Sequence, residues 1–437
     1  VDPDSSPREA PAGRTPRVAP AIGLSRDRVY SPELEAVRGL AITLVVLYHG
    51  MGMVLAARTR APGAPLAGSL ALDLTLDTSP AGALVYGGHT GVSLFFVLSA
   101  FLLSRPFIRA HATGGHVSSA EFFRRRVLRI MPAYAAAVVV GVVATSQDAQ
   151  ELLRVVPYLL FLNSIPDCVS PVLPYSGVWW SLATEVQFYL VLPAAFWLAR
   201  TRLGGLLVVA ALVGYGVAYL TVTIGGQPVT GSMVDEVVLR HSLLGRAPAF
   251  GAGIGAAWLD ARIPVSSRDA ARRGARRDIA VWGGSLVLLG CLLGVGTLLR
   301  EVLRNGYYAA ELGAHYWHVA EALLWAAYVL AIRRGAGPVR AILSCRPLQW
   351  LGVISYSLYL VHFSVIWGLL SIPSVESIMR KDGSLATALA FTGVASACSV
   401  ALSIVAYAAI ERPFLRLKAA RGARSVASNG GRPVSTP

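Results

Sequence analysis

Apolar runs of roughly 20 residues recur ten times along the chain, at 34–56, 84–104, 127–144, 177–199, 203–223, 237–259, 279–299, 315–332, 348–370 and 385–410. Each can cross the hydrocarbon core of a bilayer as a helix, which satisfies every backbone polar group internally. The pattern predicts an all-α fold, a polytopic membrane helical bundle of about ten transmembrane helices. The stretch 152–165 is apolar but short, with Pro157 inside it and Pro166 just beyond. It reads as an interfacial or re-entrant piece. Residues 1–33 are rich in Pro, Ala, Arg and Ser and have no apolar core before a small-residue cleavage site. They read as a disordered tail, not a signal peptide. The expected division is a tail at 1–33, a transmembrane domain at 34–417 and a second disordered tail at 418–437. No repeat of fixed period is present.

Composition narrows the class further. Hydrophobic residues make up 54% of the 437 and charged residues 14%, against about 25% charged in a soluble domain. The net charge is +15. In a soluble chain that would suggest nucleic acid, but here it follows the spans. Of the 39 Lys and Arg, 29 fall on one side of the predicted membrane and 8 on the other, with Arg38 and Arg246 inside spans. The asymmetry places both termini in the cytoplasm and makes the lipid bilayer, not nucleic acid, the partner of the charge. The expected location is the plasma membrane, with multiple passes. The four cysteines, Cys168, Cys291, Cys345 and Cys398, have no ligand spacing and read as small buried hydrophobes. The small-xxx-small pairs Gly251/Gly255 and Gly290/Gly294 predict close helix packing, not a phosphate loop.

Polar side chains inside spans are costly and mark sites. Arg38 and His49 share the first span. Eleven residues bring the helix about 20° past three full turns and about 16 Å along its axis, so both project from nearly one face. The competing structural reading is a snorkelling Arg and a His bonded to a neighbouring helix. Glu185 lies in GVWWSLATEVQFYLVLP, one turn from Ser181 and one turn from Tyr189. It is either a chemical group or half of a packing ion pair. His362 is a third buried candidate, with a structural His as its alternative. Arg124, Arg125, Arg126 and Arg129 open the third span, either as a lipid-phosphate anchor or as a grip on an anionic cosubstrate. Glu311, His315, His318 and Glu321 fall on one helix face near the outer surface. That pattern suits a substrate contact, a metal or, most simply, a solvated polar stripe. No His-Glu-x-x-His zinc signature, Gly-x-Ser-x-Gly elbow or P-loop is present, and no metal site is expected.

Five stretches taken together resemble the acyltransferase-3 family of integral membrane O-acyltransferases. They are ELEAVRGLAITLVVLYHG with Arg-x10-His at Arg38 and His49, GVSLFFVLSAFLL at 91–103, RRRVLRIMPAY at 124–134, WWSLATEVQFYLVLP at 179–193, and ISYSLYLVHF at 354–363 with IERPFLRL at 410–417. The chain departs from the family pattern in three places. Ser99-Ala100-Phe101 stands where Ser-Gly-Phe is frequent, Ser93 stands where an acidic residue is frequent, and Val186 follows Glu185 where a second glutamate is common. The chain resembles a minimal single-module member, without the esterase-like domain fused to some relatives.

The resemblance implies transfer of an acyl group, acetyl first among them, from acyl-CoA to a hydroxyl of a sugar-containing acceptor. The acceptor would be a cell-surface glycan, a glycolipid or a glycosylated natural product such as a macrolide. Acyl-CoA would be a cosubstrate, with no cofactor bound. His49 would act as base, with Glu185 orienting it or stabilising its charged form. Arg38, Arg125, Arg126 and Arg129 would bind the donor phosphates, and Ser99, Trp180, Ser181, Tyr189, Tyr359 and His362 would line the substrate path. Two alternatives stay open: a multi-pass secondary transporter, and the membrane-bound O-acyltransferase type, for which His362 would be the histidine.

Overall fold

The computed structural model describes residues 31–59, 79–146, 149–163, 173, 175–224, 241–263, 275–304, 317–382 and 384–417. The expected tails lie almost wholly outside these residues. Pro32 already opens the first helix, two residues before the expected boundary.

Among the described residues, ten helices of 18 residues or more match the ten apolar runs. In chain order the elements are α1 (Pro32–Thr59), a short α2 (Pro80–Tyr86), α3 (Thr90–Ala112), α4 (Ser119–Thr145), the short α5 (Ala149–Leu152) and α6 (Val155–Leu159), α7 (Trp180–Leu198), α8 (Arg202–Ile224), α9 (Leu243–Arg262), α10 (Ala275–Arg304), α11 (Trp317–Arg334), a short α12 (Pro338–Leu343), α13 (Arg346–Leu370), α14 (Pro373–Lys381) and α15 (Leu385–Ala406). A π-turn at Tyr407–Glu411 follows α15. Among the described residues there is no strand. Eight helices among the described residues are long and apolar enough to cross a membrane: α1, α3, α4, α7, α8, α10, α13 and α15. The other two expected spans, α9 and α11, carry Arg246 and Asp260, and Glu321, Arg333 and Arg334. These charges lower their hydropathy, and they are the residues that build the polar clusters described below. The chain is an all-α polytopic membrane protein.

Two expected elements differ in detail. The run at 84–104 is not one helix. Ser79 caps α2, its Oγ accepting from the Gly82 N–H at 3.1 Å, and the chain turns at Gly87 before α3 begins. A Cβ on Gly88 would run into the Leu44 backbone of α1, so the turn sits where only glycine allows so close an approach. The stretch at 152–165 does not cross. It folds as α5 and α6 against α4, where the Tyr134 hydroxyl donates to the Tyr158 carbonyl at 2.9 Å and Tyr134 stacks on Phe161.

Helix α1 forms the axis of the bundle, packed against α13, α3 and α15, while α8 is the most peripheral span and turns Leu203, Leu206 and Leu212 outward. Helices α1 and α13 run in the same direction. At one end Gly39 faces the Leu348 carbonyl and Gly352 faces the Glu35 carbonyl, so backbone meets backbone with no room for a Cβ on either side. Small residues at such crossings allow close van der Waals packing in lipid. The packing glycines are not the expected pairs. Gly251, Gly255 and Gly290 face open space and Gly294 meets only the Leu324 side chain, whereas Gly253 lies against the Val97 carbonyl. The reason is helical phase: the sequence spacing was right, but the contacting face lies between the two glycines of the first pair.

The ends of α3, α9 and α11 are tied by Asp260. It is 4% exposed and accepts from Arg333 Nε at 3.0 Å and Arg334 Nε at 2.5 Å, with Arg105 at 3.6 Å. Three guanidinium groups around one buried carboxylate compensate its desolvation.

Candidate active site

A cavity of about 100 Å³ lies between α1, α3, α4, α7 and α13. Arg38, Arg126, Arg129, Ser99, Ser181, Glu185, Tyr189 and Tyr359 all contribute to its wall, and phenyl and leucyl side chains complete it. Eight of the twelve candidate residues, scattered over 322 positions of sequence, therefore surround one space. The volume corresponds to a few water molecules. It suits a thin flexible chain and excludes a bulky headgroup.

The polar groups in the wall are ordered by height. At the end nearest the N-terminus of α1, Arg38 pairs with Glu35 at 3.2 Å. Arg126 lies with its guanidinium carbon 6.0 Å from the ring centres of both Phe122 and Tyr189, and its Nε is buried with no hydrogen-bond partner among the described residues. Arg129 lies in the field of Glu411, Glu35 and Glu185. In the middle, the Ser99 hydroxyl donates to Glu185 Oε1 at 2.5 Å. At the far end, the hydroxyls of Tyr359 and Ser181 are 2.6 Å apart, and that of Tyr359 also lies 2.8 Å from the Val178 carbonyl.

Beyond Tyr359 stand the two histidines. The ring of His362 is 5.6 Å from that of Tyr359 and 5.2 Å from that of His49. His362 Nε2 lies 3.2 Å from His49 Nδ1, and the same Nδ1 lies 2.9 Å from the Val45 carbonyl. Phe363 packs edge-on against His49. The hydrogen bonds of His49 thus run to α13 and to its own helix, not to Glu185, whose carboxylate is held by Ser99. The expected Glu185–His49 orienting contact is replaced by a His362–His49 contact.

Two further candidates stand apart from the cavity. Arg125 points outward, 47% exposed, and pairs with Glu121 at 2.5 Å; Arg124 also pairs with Glu121. Successive residues on a helix differ by about 100° in direction, so a run of three arginines cannot all face one wall. Trp180 lies under the Arg246 guanidinium, 5.3 Å from its ring centre. It belongs to a second buried cluster.

That cluster holds His318 and Glu321, for which the sequence leaves a substrate contact, a metal and a solvated stripe open; burial rules out the solvated face for these two residues. His318 and Glu321 are 5% and 1% exposed. Glu321 accepts from Thr90 at 2.5 Å and from Ser93 at 2.9 Å, and lies 3.1 Å from His318 Nδ1. Arg246 Nη1 lies 3.0 Å from His318 Nε2. Ser93 stands in the position where the family pattern often carries an acid, and here its hydroxyl serves Glu321. Glu311 and His315 lie outside the described residues. Two other groups escaped the sequence reading. Glu411, in the π-turn, is 2% exposed and accepts from Ser357 at 2.9 Å, and Tyr356 donates to the Ile130 carbonyl at 2.6 Å from the cavity wall. The quoted IERPF stretch was the available signal for Glu411.

The gathering of Arg38, Ser99, Arg126, Arg129, Glu185 and Tyr359 around one space coincides with a match to a family model described as an acyltransferase domain, over residues 31–408. The chain belongs to the acyltransferase-3 family. Its relatives include the peptidoglycan O-acetyltransferase OatA of Listeria monocytogenes, 25% identical over 78% of this chain and 50% of that protein. The putative peptidoglycan O-acetyltransferase YrhL of Bacillus subtilis is 24% identical over 66% of this chain and 46% of that protein. The O-acetyltransferase OatA of Staphylococcus aureus is 23% identical over 77% of this chain and 51% of that protein. The chain spans about half the length of these relatives. No solved structure matches it.

Proposed function

We propose that this acyltransferase-3 protein moves an acetyl group from acetyl-CoA, presented at the cytoplasmic face, to a hydroxyl of a cell-envelope glycan at the plasma membrane. The observation that carries the proposal is one cavity whose wall holds arginines, Glu185 and Tyr359. Half-buried Arg126 and Arg129 stand at one end, and the His49–His362 pair lies outside the wall, just past Tyr359 at the other. The names of the relatives favour a glycan acceptor and an acetyl group over a macrolide sugar.

The physical account runs along the cavity. Arg126 has an unpaired donor in a low-dielectric wall, where a phosphate oxygen gives a strong charge-assisted hydrogen bond. The pantetheine arm is thin enough for the cavity and carries the thioester past Ser99 and Glu185. There the carboxylate, fixed by Ser99, balances the arginines. His49 accepts the proton of the acceptor hydroxyl as its oxygen bonds to the thioester carbonyl carbon. The carbon–sulfur bond breaks, and the departing thiolate takes the proton from the imidazolium. Neither proton nor charge is left over.

The direct test is incubation of the full chain in liposomes with labelled acetyl-CoA and a β-1,4-linked N-acetylglucosamine oligomer, alongside a glycosylated macrolide. Label on the oligomer is expected. Label on the macrolide alone would move the acceptor class, and solute flux without acyl donor would support a transporter instead.

The donor end makes a sharper prediction. Arg126→Gln is expected to weaken CoA binding about 10-fold or more, the scale of one hydrogen bond to a charged group. Arg125→Gln, which leaves Glu121 paired with Arg124, is expected to leave the isotherm within about twofold, as for an exposed ion pair. Equal effects of the two substitutions, read by calorimetric titration, would place the phosphates outside the cavity.

A further inference from the structure

We infer that His362 is a positioning residue that fixes which nitrogen of His49 is basic. The inference rests on the reading of His49 as the base and adds a specific role for a second residue. It follows from hydrogen-bonding capacity alone. Each ring nitrogen of a neutral imidazole is either a donor or an acceptor, never both. His362 Nδ1 lies 3.0 Å from the Leu358 carbonyl and 2.9 Å from the Tyr359 carbonyl. Carbonyl oxygens only accept, so Nδ1 of His362 carries the hydrogen and its Nε2 is a bare lone pair. That lone pair faces His49 Nδ1 at 3.2 Å. His49 Nδ1 also faces the Val45 carbonyl at 2.9 Å. Both partners of this nitrogen are acceptors, so Nδ1 of His49 carries the hydrogen and shares it between them. Its Nε2 is therefore the nitrogen left with a free lone pair.

Accessibility separates the roles of the two rings. His362 has no accessible surface, whereas His49 is only partly buried. Only His49 is open to a reactant, and His362 acts from behind it. The arrangement has the logic of a carboxylate holding a catalytic histidine in one tautomer. Here a neutral imidazole, itself pinned by two carbonyls of α13, takes the place of the carboxylate. Once His49 gains a proton on Nε2, its Nδ1–H still has both acceptors, so the charged form loses no hydrogen bond.

Without His362, the Val45 carbonyl is the one acceptor left at Nδ1, and the ring can adopt the other tautomer. Gln at 362 places an amide oxygen near the position of Nε2 and restores an acceptor, while Leu does not. His362→Leu is expected to lower kcat on the order of 100-fold with the KM for acetyl-CoA unchanged, and His362→Gln to recover most of that loss. A purely structural role would instead affect Gln and Leu alike and would move KM as well.

Kinetics with labelled acetyl-CoA and the N-acetylglucosamine oligomer separate the two readings. If His49→Ala matches the wild type, the base assignment fails. If His49→Ala is inactive while His362→Leu retains the wild-type kcat, the positioning role alone fails. A second measurement needs no turnover. Solid-state ¹⁵N NMR of the histidine-labelled full chain in lipid, with His49 identified by its loss in His49→Ala, is expected to show a protonated Nδ1 and a bare Nε2. A His49 protonated at Nε2 in the wild-type protein overturns the inference.

Discussion

Replacing His49 by alanine is expected to lower acetyl transfer by about 10² to 10⁴-fold, the range contributed by a positioned general base, while CoA binding stays within twofold of the wild type. The separation follows from position. Arg38 and His49 lie about 16 Å apart along α1, and the polar groups that can hold the donor phosphates are at the Arg38 end of the cavity. His49 does not line the cavity that holds Arg126 and Arg129. Removing its ring deletes the proposed proton acceptor and leaves the arginines, Glu185 and Ser99 in place. The measurement pairs steady-state transfer with a binding isotherm on the same preparation. Transfer at the wild-type rate would end the assignment of His49 as base. Parallel loss of binding and transfer would show that the ring supports the donor site and not the chemical step.

Replacing Gly39 by leucine is expected to prevent α1 from docking on α13, with loss of the monodisperse protein in detergent and of all activity. The obstacle is backbone: a Cβ on Gly39 would overlap the Leu348 carbonyl oxygen, and Gly352 has the reciprocal conflict with Glu35. Overpacking against movable side chains usually costs about 1–3 kcal/mol. A fixed carbonyl cannot move aside without shifting a whole helix, so the cost here exceeds that range. Gly251→Leu is the control, since that glycine faces open space. Size-exclusion chromatography and thermal melting of both variants in one detergent read the difference. A Gly39→Leu protein that melts with the wild type would mean that the two helices do not meet as described.

The two experiments probe different levels of what was legible. The ten apolar runs became ten long helices because a backbone in lipid has to satisfy its own hydrogen bonds, and length with hydropathy decides that locally. The shared face of Arg38 and His49 followed from helical periodicity, which is also local. The short piece at 152–165 was legible for the same reason, being too short to cross. Solvation was less legible. His318 and Glu321 have the spacing of a solvated stripe, yet they are buried because Thr90, Ser93 and Arg246 come from α3 and α9 to meet them. No local pattern on α11 announces those partners.

The same limit explains the arginine run and the glycines. Composition called Arg125, Arg126 and Arg129 a group, but only helical phase relative to the neighbouring helices turns Arg126 and Arg129 to the cavity and Arg125 to Glu121. Glycine spacing called for close packing at Gly251 and Gly255, but the crossing with α3 falls on Gly253.

By itself the sequence determined the all-α membrane architecture, the placement of polar groups inside the spans and the family motifs, because each depends on hydropathy or periodicity within one segment. The tertiary structure alone decided that Glu185 belongs to Ser99 and that His49 belongs to His362, 313 positions away. Which side chains meet across two helices depends on where the helices cross. In α1 and α13 the crossing is set by two glycines, Gly39 against the Leu348 carbonyl and Gly352 against the Glu35 carbonyl.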